Sequence, residues 1–188
     1  MNVHTISRWA GAAALAAVLA GASGAVPSAQ GGGLDTTIAS VKTAHGAVKD
    51  YLTKAAAQVP EDKYGYQPTP QVRTMGQLFG HVANASRMIC ASASGMAAPE
   101  APDAEKLATK AEIQKALADA MAFCDHAFDM ISGANGAQTV DLFGMTHSRI
   151  GALAFNNAHN FEHYGNLVTY MRINGMVPPS SAGQGGND

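Results

Sequence analysis

Between about Thr146 and Asn174 the chain carries no proline, and apolar residues such as Ile150, Leu153, Phe155, Phe161, Leu167, Val168, Tyr170 and Met171 surround most of a helical circumference. A helix with one apolar stripe lies on a surface, whereas one that is apolar on most sides is enclosed by other elements. Inside this segment stands a dense polar run, Asn156, Asn157, His159, Asn160, Glu162, His163 and Asn166. Burying each such group without a partner costs roughly 1–3 kcal/mol, so the cluster needs partners or a ligand. Gly175 follows as a helix stop, with Pro178-Pro179 beyond it.

Three further segments supply the enclosure. Ile38, Val41, Ala44, Val48 and Leu52 recur at helical spacing in a first helix from Leu34 to Gln58, ended by Pro60. A proline- and tyrosine-bearing connection, 61–73, leads to Thr74, an N-cap for a second helix with the stripe Met75, Leu78, Val82, Ala85 and Ile89, ending near Ser94 and stopped by Gly95. A Pro/Ala/acidic crossover, 96–108, precedes a capping box, Thr109 with Glu112, that opens a third helix. Its stripe runs from Ile113 through Leu117, Met121, Cys124 and Phe128 to Ile131, and Gly133 closes it. Residues 136–144 read as a loop with a short extended piece at 139–143. The fold class expected is all-α, a four-helix bundle with a long crossover between helices two and three.

The N-terminus is of another kind. Arg8, the apolar run Trp9 to Ala22 and the small residues Ser23-Gly24-Ala25 read as an export signal peptide over 1–25, followed by a flexible leader over 26–33, the bundle over 34–179 and a flexible tail over 180–188. The apolar run is short for a membrane span, so none is expected after cleavage, and the expected location is periplasmic or secreted. Cleavage removes Arg8, leaving 11 of the 12 basic residues against all 14 acidic ones, a charge of about −3. That balance and the lack of a basic stripe argue against nucleic acid as a partner. The remaining length of roughly 160 residues suits one domain. A small-molecule ligand or substrate fits better, and a homodimer through helix faces is compatible, although no heptad seam demands one. Cys90 and Cys124 are the only cysteines, either a disulfide or two buried thiols.

His159 and His163 lie four apart, one turn apart on one helix face, where both imidazoles can reach one ion. Two ligands leave a divalent cation underligated, and His81, flanking the apolar stripe of helix two, is the donor expected to complete the set. Three imidazoles suit a divalent transition metal, zinc, nickel, iron or copper, and leave positions open for water or substrate. The plain alternative is an ordinary solvated or capped HxxxH pair. His45, His126 and His147 are read as non-ligands, His147 being the nearest exception. His159 to His163 also matches the HxxEH pattern of inverted zinc peptidases, but the only acid after Glu162 is Asp188, so no downstream acidic ligand is available. Glu162 is therefore assigned to the surroundings of the site or to the surface. Asn156, Asn166 and Tyr170 are candidate pocket-lining residues.

Two blocks resemble the DinB-like superfamily, whose members include metal-dependent enzymes. One runs from Tyr66-Gln67-Pro68-Thr69-Pro70 through Arg73-Thr74 to Gly80-His81-Val82-Ala83, and the other from His159 to Asn166 into Tyr170-Met171-Arg172-Ile173-Asn174-Gly175 and Pro178-Pro179. The resemblance spans nearly the whole mature chain. It implies a bundle whose middle helices run parallel, which the roughly thirteen-residue linker can span when extended. It also implies metal ligands at His81, His159 and His163. The family often has Gln where this chain has Asn166. Some relatives are thiol-dependent transferases or isomerases, yet reduced thiols are scarce outside the cytoplasm. The functions that follow are a metal-dependent enzyme of hydrolase or thiol/group-transferase type, a non-catalytic metal- or ligand-binding bundle, or a structural bundle with stranded histidines.

Overall fold

Three of the helices begin where a hydroxyl side chain can satisfy a free backbone N–H. Thr74 accepts from Gln77 N and Thr109 from Glu112 N, each closed into a reciprocal capping box, and Ser148 accepts from Gly151 N. In the computed structural model, which describes residues 30–183, these caps open α2 (Met75–Ser94), α3 (Lys110–Asp129) and α4 (Arg149–Ile173), and α1 spans Gln30–Gln58. The signal peptide expected over 1–25 and residues 184–188 lie outside the described residues. Gly95, at φ 77°, stops α2 in the left-handed conformation that glycine adopts without strain.

Several boundaries differ from the sequence reading. The expected leader is helical from Gln30, and the Thr36 and Thr37 hydroxyls bond back to the carbonyls of Gly32 and Gly33, tying the glycines into the first turns. At the other end, residues expected to begin a flexible tail are held: Ser180 N donates to the Tyr164 hydroxyl at 2.9 Å, and Arg172 donates to Ser181 Oγ at 2.9 Å. Helix α3 ends at Asp129, before Gly133, although Ile131 stays buried. The loop before α4 is a β-hairpin, β1 (Thr139–Leu142) paired antiparallel with β2 (Met145–Ser148). Its two-residue turn places Phe143 at φ 57° and Gly144 at φ 76°, the positive angles that match hairpin twist. Residues 146–148, read as the first turn of the last helix, are therefore strand and cap.

Contacts between helices give their directions. Ile113 packs by Gly76 while Cys124 is bridged to Cys90, so α2 and α3 run parallel. His81 meets His159 while Arg149 bonds to Ala93 O, so α2 and α4 are antiparallel. Lys42 pairs with Asp129 and Gln114 with Ala56 O, making α1 and α3 antiparallel, and Asn157 bonds to Val41 O while Gln58 bonds to Val177 O, making α1 and α4 parallel. This is the crossover topology the parallel middle pair requires.

The core is divided. One cluster, including Leu52, Met75, Phe79, Leu117 and Met171, fills one half, and a second, including Ile89, Cys90, Cys124, Phe128 and Leu153, fills the other. Between them along the helices lies a buried polar layer of His45, Ser86, Asn156, Asn157, Asn160 and His163. The disulfide Cys90–Cys124 crosses the second cluster, settling the two thiols in favour of a bridge. Among the described residues, no helix is long and apolar enough to cross a membrane.

Candidate metal centre

The crossover approaches α2 by an unusually close backbone contact. A Cβ on Gly80 would lie 2.3 Å from the Ala104 carbonyl oxygen, so only glycine lets the short 3-10 turn Ala104–Lys106 rest on the helix there. Asn84 fastens the same turn, donating to Asp103 Oδ1 at 2.7 Å and accepting from Ala104 N at 3.1 Å. This seats Glu105 beside His81.

His81, His159 and His163 converge. Nε2 of His159 is 3.2 Å from Nε2 of His81 and 3.1 Å from Nε2 of His163. Two nitrogens bound to one ion at about 2.0–2.1 Å, at angles between octahedral and tetrahedral, stand roughly 2.9–3.4 Å apart. The observed spacings fall in that interval. Among the described residues this is the set of three His, Cys, Asp or Glu side chains whose ligand atoms gather closely enough for a metal.

The surroundings select the correct nitrogen. His81 Nδ1 donates to Glu105 Oε1 at 2.8 Å, and Arg73 Nε donates to Glu105 Oε2 at 2.8 Å. Burial alone would raise the Glu105 pKa, but the hydrogen bonds and charges of Arg73 and His81 outweigh it and hold the carboxyl below its ordinary range. An ionised acceptor keeps the proton on Nδ1 and turns the lone pair of Nε2 toward the other two imidazoles, the arrangement in which a carboxylate orients a metal-bound histidine. Desolvation by burial, with the neighbouring imidazoles adding to it, lowers the pKa of His159 and brings that of His163 down to about 4. Both rings are neutral at pH 7, the form that ligates metal. Three donors of this kind fit a divalent transition ion, with three or fewer further positions open.

The site opens onto a cleft of about 580 Å³ lined by Arg73, Gln77, Glu105, Glu162, His163 and Tyr170, with Asn166 at its rim. Asn166 and Tyr170 are both among the residues lining this cleft. Asn156 does not line this cleft; it is fully buried, with Nδ2 4.0 Å from Cys124 Sγ and Oδ1 unpartnered. Much of the polar run in α4 serves packing between helices, since Asn157 reaches Val41 O of α1 and Asn160 exchanges bonds with Ser86 of α2. His45 stacks on Phe128 and bonds to Asp125, His126 is exposed, and His147 lies in β2, so all three stand apart from the cluster. Glu105, Gly80 and Asn84 were missed by sequence reasoning. A glycine in mid-helix directly before His81 was the available sign of a close approach.

A sequence profile of the DinB superfamily matches residues 45–167. The fold is similar to the crystal structure of a DinB-like protein from Bacillus cereus, with a TM-score of 0.61 and 16% sequence identity, covering 70% of this chain and 89% of that one. It is also similar to that of a DinB-like protein from Bacillus subtilis, with a TM-score of 0.57 and 15% identity, covering 73% and 93% of the two chains. No curated protein sequence matches the chain.

Proposed function

The chain belongs to the DinB superfamily, and on that premise we propose that it is an exported metal-dependent enzyme of hydrolase or group-transferase type. The observation that carries this reading is the meeting of three Nε2 atoms from α2 and α4 at the edge of an open polar cleft. A divalent ion bound there supplies Lewis acidity and lowers the pKa of coordinated water. The protein's own groups do the rest. Glu105 holds the tautomer of His81, Arg73 fixes Glu105, and Arg73, Gln77 and Tyr170 offer polar contacts to a substrate entering the cleft. Zinc, nickel and iron all suit the donor set. Export is supported by the Arg8-led apolar segment and by the Cys90–Cys124 bridge, since disulfides persist mainly in oxidising compartments.

One observation favours a second reading, a bundle that binds a metal or small ligand without turnover. The carboxylate nearest the imidazoles, Glu105, is engaged on both oxygens by His81 and Arg73, which leaves it poorly placed to move a proton. Elemental analysis of untagged protein tests the metal. One equivalent in the wild type and little in the His81→Ala, His159→Ala and His163→Ala variants is expected; equal metal content in all four would sink both readings. Turnover on ester, amide and thiol panels by loaded protein, absent from the variants, separates enzyme from binder.

A further inference from the structure

A second cleft meets the first at Glu105. It has a volume of about 680 Å³ and begins at His81, whereas the polar cleft includes His163; the two rings are 4.7 Å apart and Glu105 lines both spaces. One wall is a single stripe of α2, Ala85, Met88 and Ala91, and the other is the crossover at Ala98, Pro99 and Ala101. From His81 to Ala91 the stripe is about 15 Å long at 1.5 Å rise per residue. Met88 is 48% exposed, an apolar side chain left uncovered along this trough.

The two clefts differ in chemistry. On the polar side, Arg73 is 42% exposed and only its Nε is taken by Glu105, so the other donors of the guanidinium fork remain for an anion. With a divalent cation on the histidines, that cation and Arg73 outweigh Glu105 and Glu162, giving the mouth a net charge of about +1. The trough is mainly alkyl surface with Pro99, and the charges of Arg87 and Glu100, opposite in sign, also stand in its lining. We propose that the ligand of this site is a small amphipathic acid, with its carboxylate or similar anionic head between the metal position and Arg73 and its alkyl or aryl body along the trough. This rests on the metal reading above, because without the cation the mouth is net negative.

The test uses zinc-loaded full-length protein titrated calorimetrically with octanoate, acetate and 1-octanol. Octanoate is expected to bind at least about tenfold more tightly than acetate, since even partial burial of its additional methylenes contributes that much, and more tightly than 1-octanol, which lacks the anionic head. Met88→Ser, which shortens the exposed apolar side chain of the trough without adding charge, is expected to reduce the octanoate advantage over acetate while zinc content stays at the wild-type level. Arg73→Gln is expected to weaken both acids and leave 1-octanol unaffected. Equal affinity for octanoate and acetate, or an octanoate affinity untouched by Met88→Ser, would overturn the amphipathic ligand while zinc remains bound. Failure of the wild type to hold zinc on the same samples would overturn the metal reading first and the head-group assignment with it.

Discussion

Reducing the Cys90–Cys124 bridge should cost this bundle much of its stability, and the structure sets the size of the effect. The bridge closes a loop with a sequence separation of 34, between two helices that run side by side. In the chain-entropy treatment, releasing a loop of that length returns about 13 cal/mol/K to the unfolded chain, or about 4 kcal/mol at 25 °C. Residual structure in the denatured ensemble reduces this, so a measured loss of about 2–4 kcal/mol is expected. For a domain of this size, that corresponds to a fall in Tm of roughly 5–15 °C. Both sulfurs are fully buried, so the protein should be reduced with a non-thiol phosphine in denaturant, refolded, and compared with oxidised protein by urea titration followed by circular dichroism. Chelator in both samples removes stabilisation by bound metal. The Cys90→Ala/Cys124→Ala variant, insensitive to the phosphine, serves as the control. Oxidised and reduced unfolding free energies agreeing within about 0.5 kcal/mol would refute the loop-entropy argument.

Gly80→Ala should destabilise the fold by about 1–3 kcal/mol by pushing Ala104 off α2, whereas Gly46→Ala, whose added Cβ meets nothing within 4 Å on an exposed helix surface, should stabilise it by about 0.5–1 kcal/mol; equal effects in urea titrations would disprove the close-approach account. Glu105→Gln should weaken zinc binding roughly 10–100-fold in a chelator competition while leaving the circular dichroism spectrum unchanged; an unaltered zinc affinity would remove Glu105 from the site. Burial lowers the pKa of His45 and brings that of His163 to about 4, so the unfolded chain binds more protons than the folded one below pH 6.5. Chelated protein should therefore lose stability as pH falls from 7.5 to 5, and a flat urea midpoint across that interval would contradict it.

How much of this was readable in the chain depended on whether the information was periodic. The stripes of Met75 to Ile89 and Ile113 to Phe128 repeat at helical spacing, and Thr74 and Thr109 carry their caps within three residues, so α2 and α3 were located closely. His159 and His163 share a face by spacing alone, and His81 followed from the need for a third donor. The extended piece expected at 139–143 coincides with β1, but its pairing with β2 was not legible, because the strands are four residues each and Phe143 occupies a positive-φ position usually held by Asn or Gly. Glu105 reaches His81 only through the path of an irregular crossover, a relation that no local pattern encodes. Asn156 illustrates the converse error, since polarity in an apolar helix marked it as pocket-lining when it is enclosed beside Cys124.

The ties between helices are unequally shared. Helix α2 is bonded covalently to α3 through Cys90 and Cys124, and a cation on the three imidazoles would clasp it to α4. Helix α1 has neither kind of tie; side-chain burial, ion pairs such as Lys42–Asp129 and hydrogen bonds hold it. A loaded, oxidised molecule is thus a fastened three-rod frame with a fourth rod resting against it. Partial opening should begin with that rod lifting away while the imidazole cage stays intact, and amide exchange should register it as earlier loss of protection in α1 than in the frame.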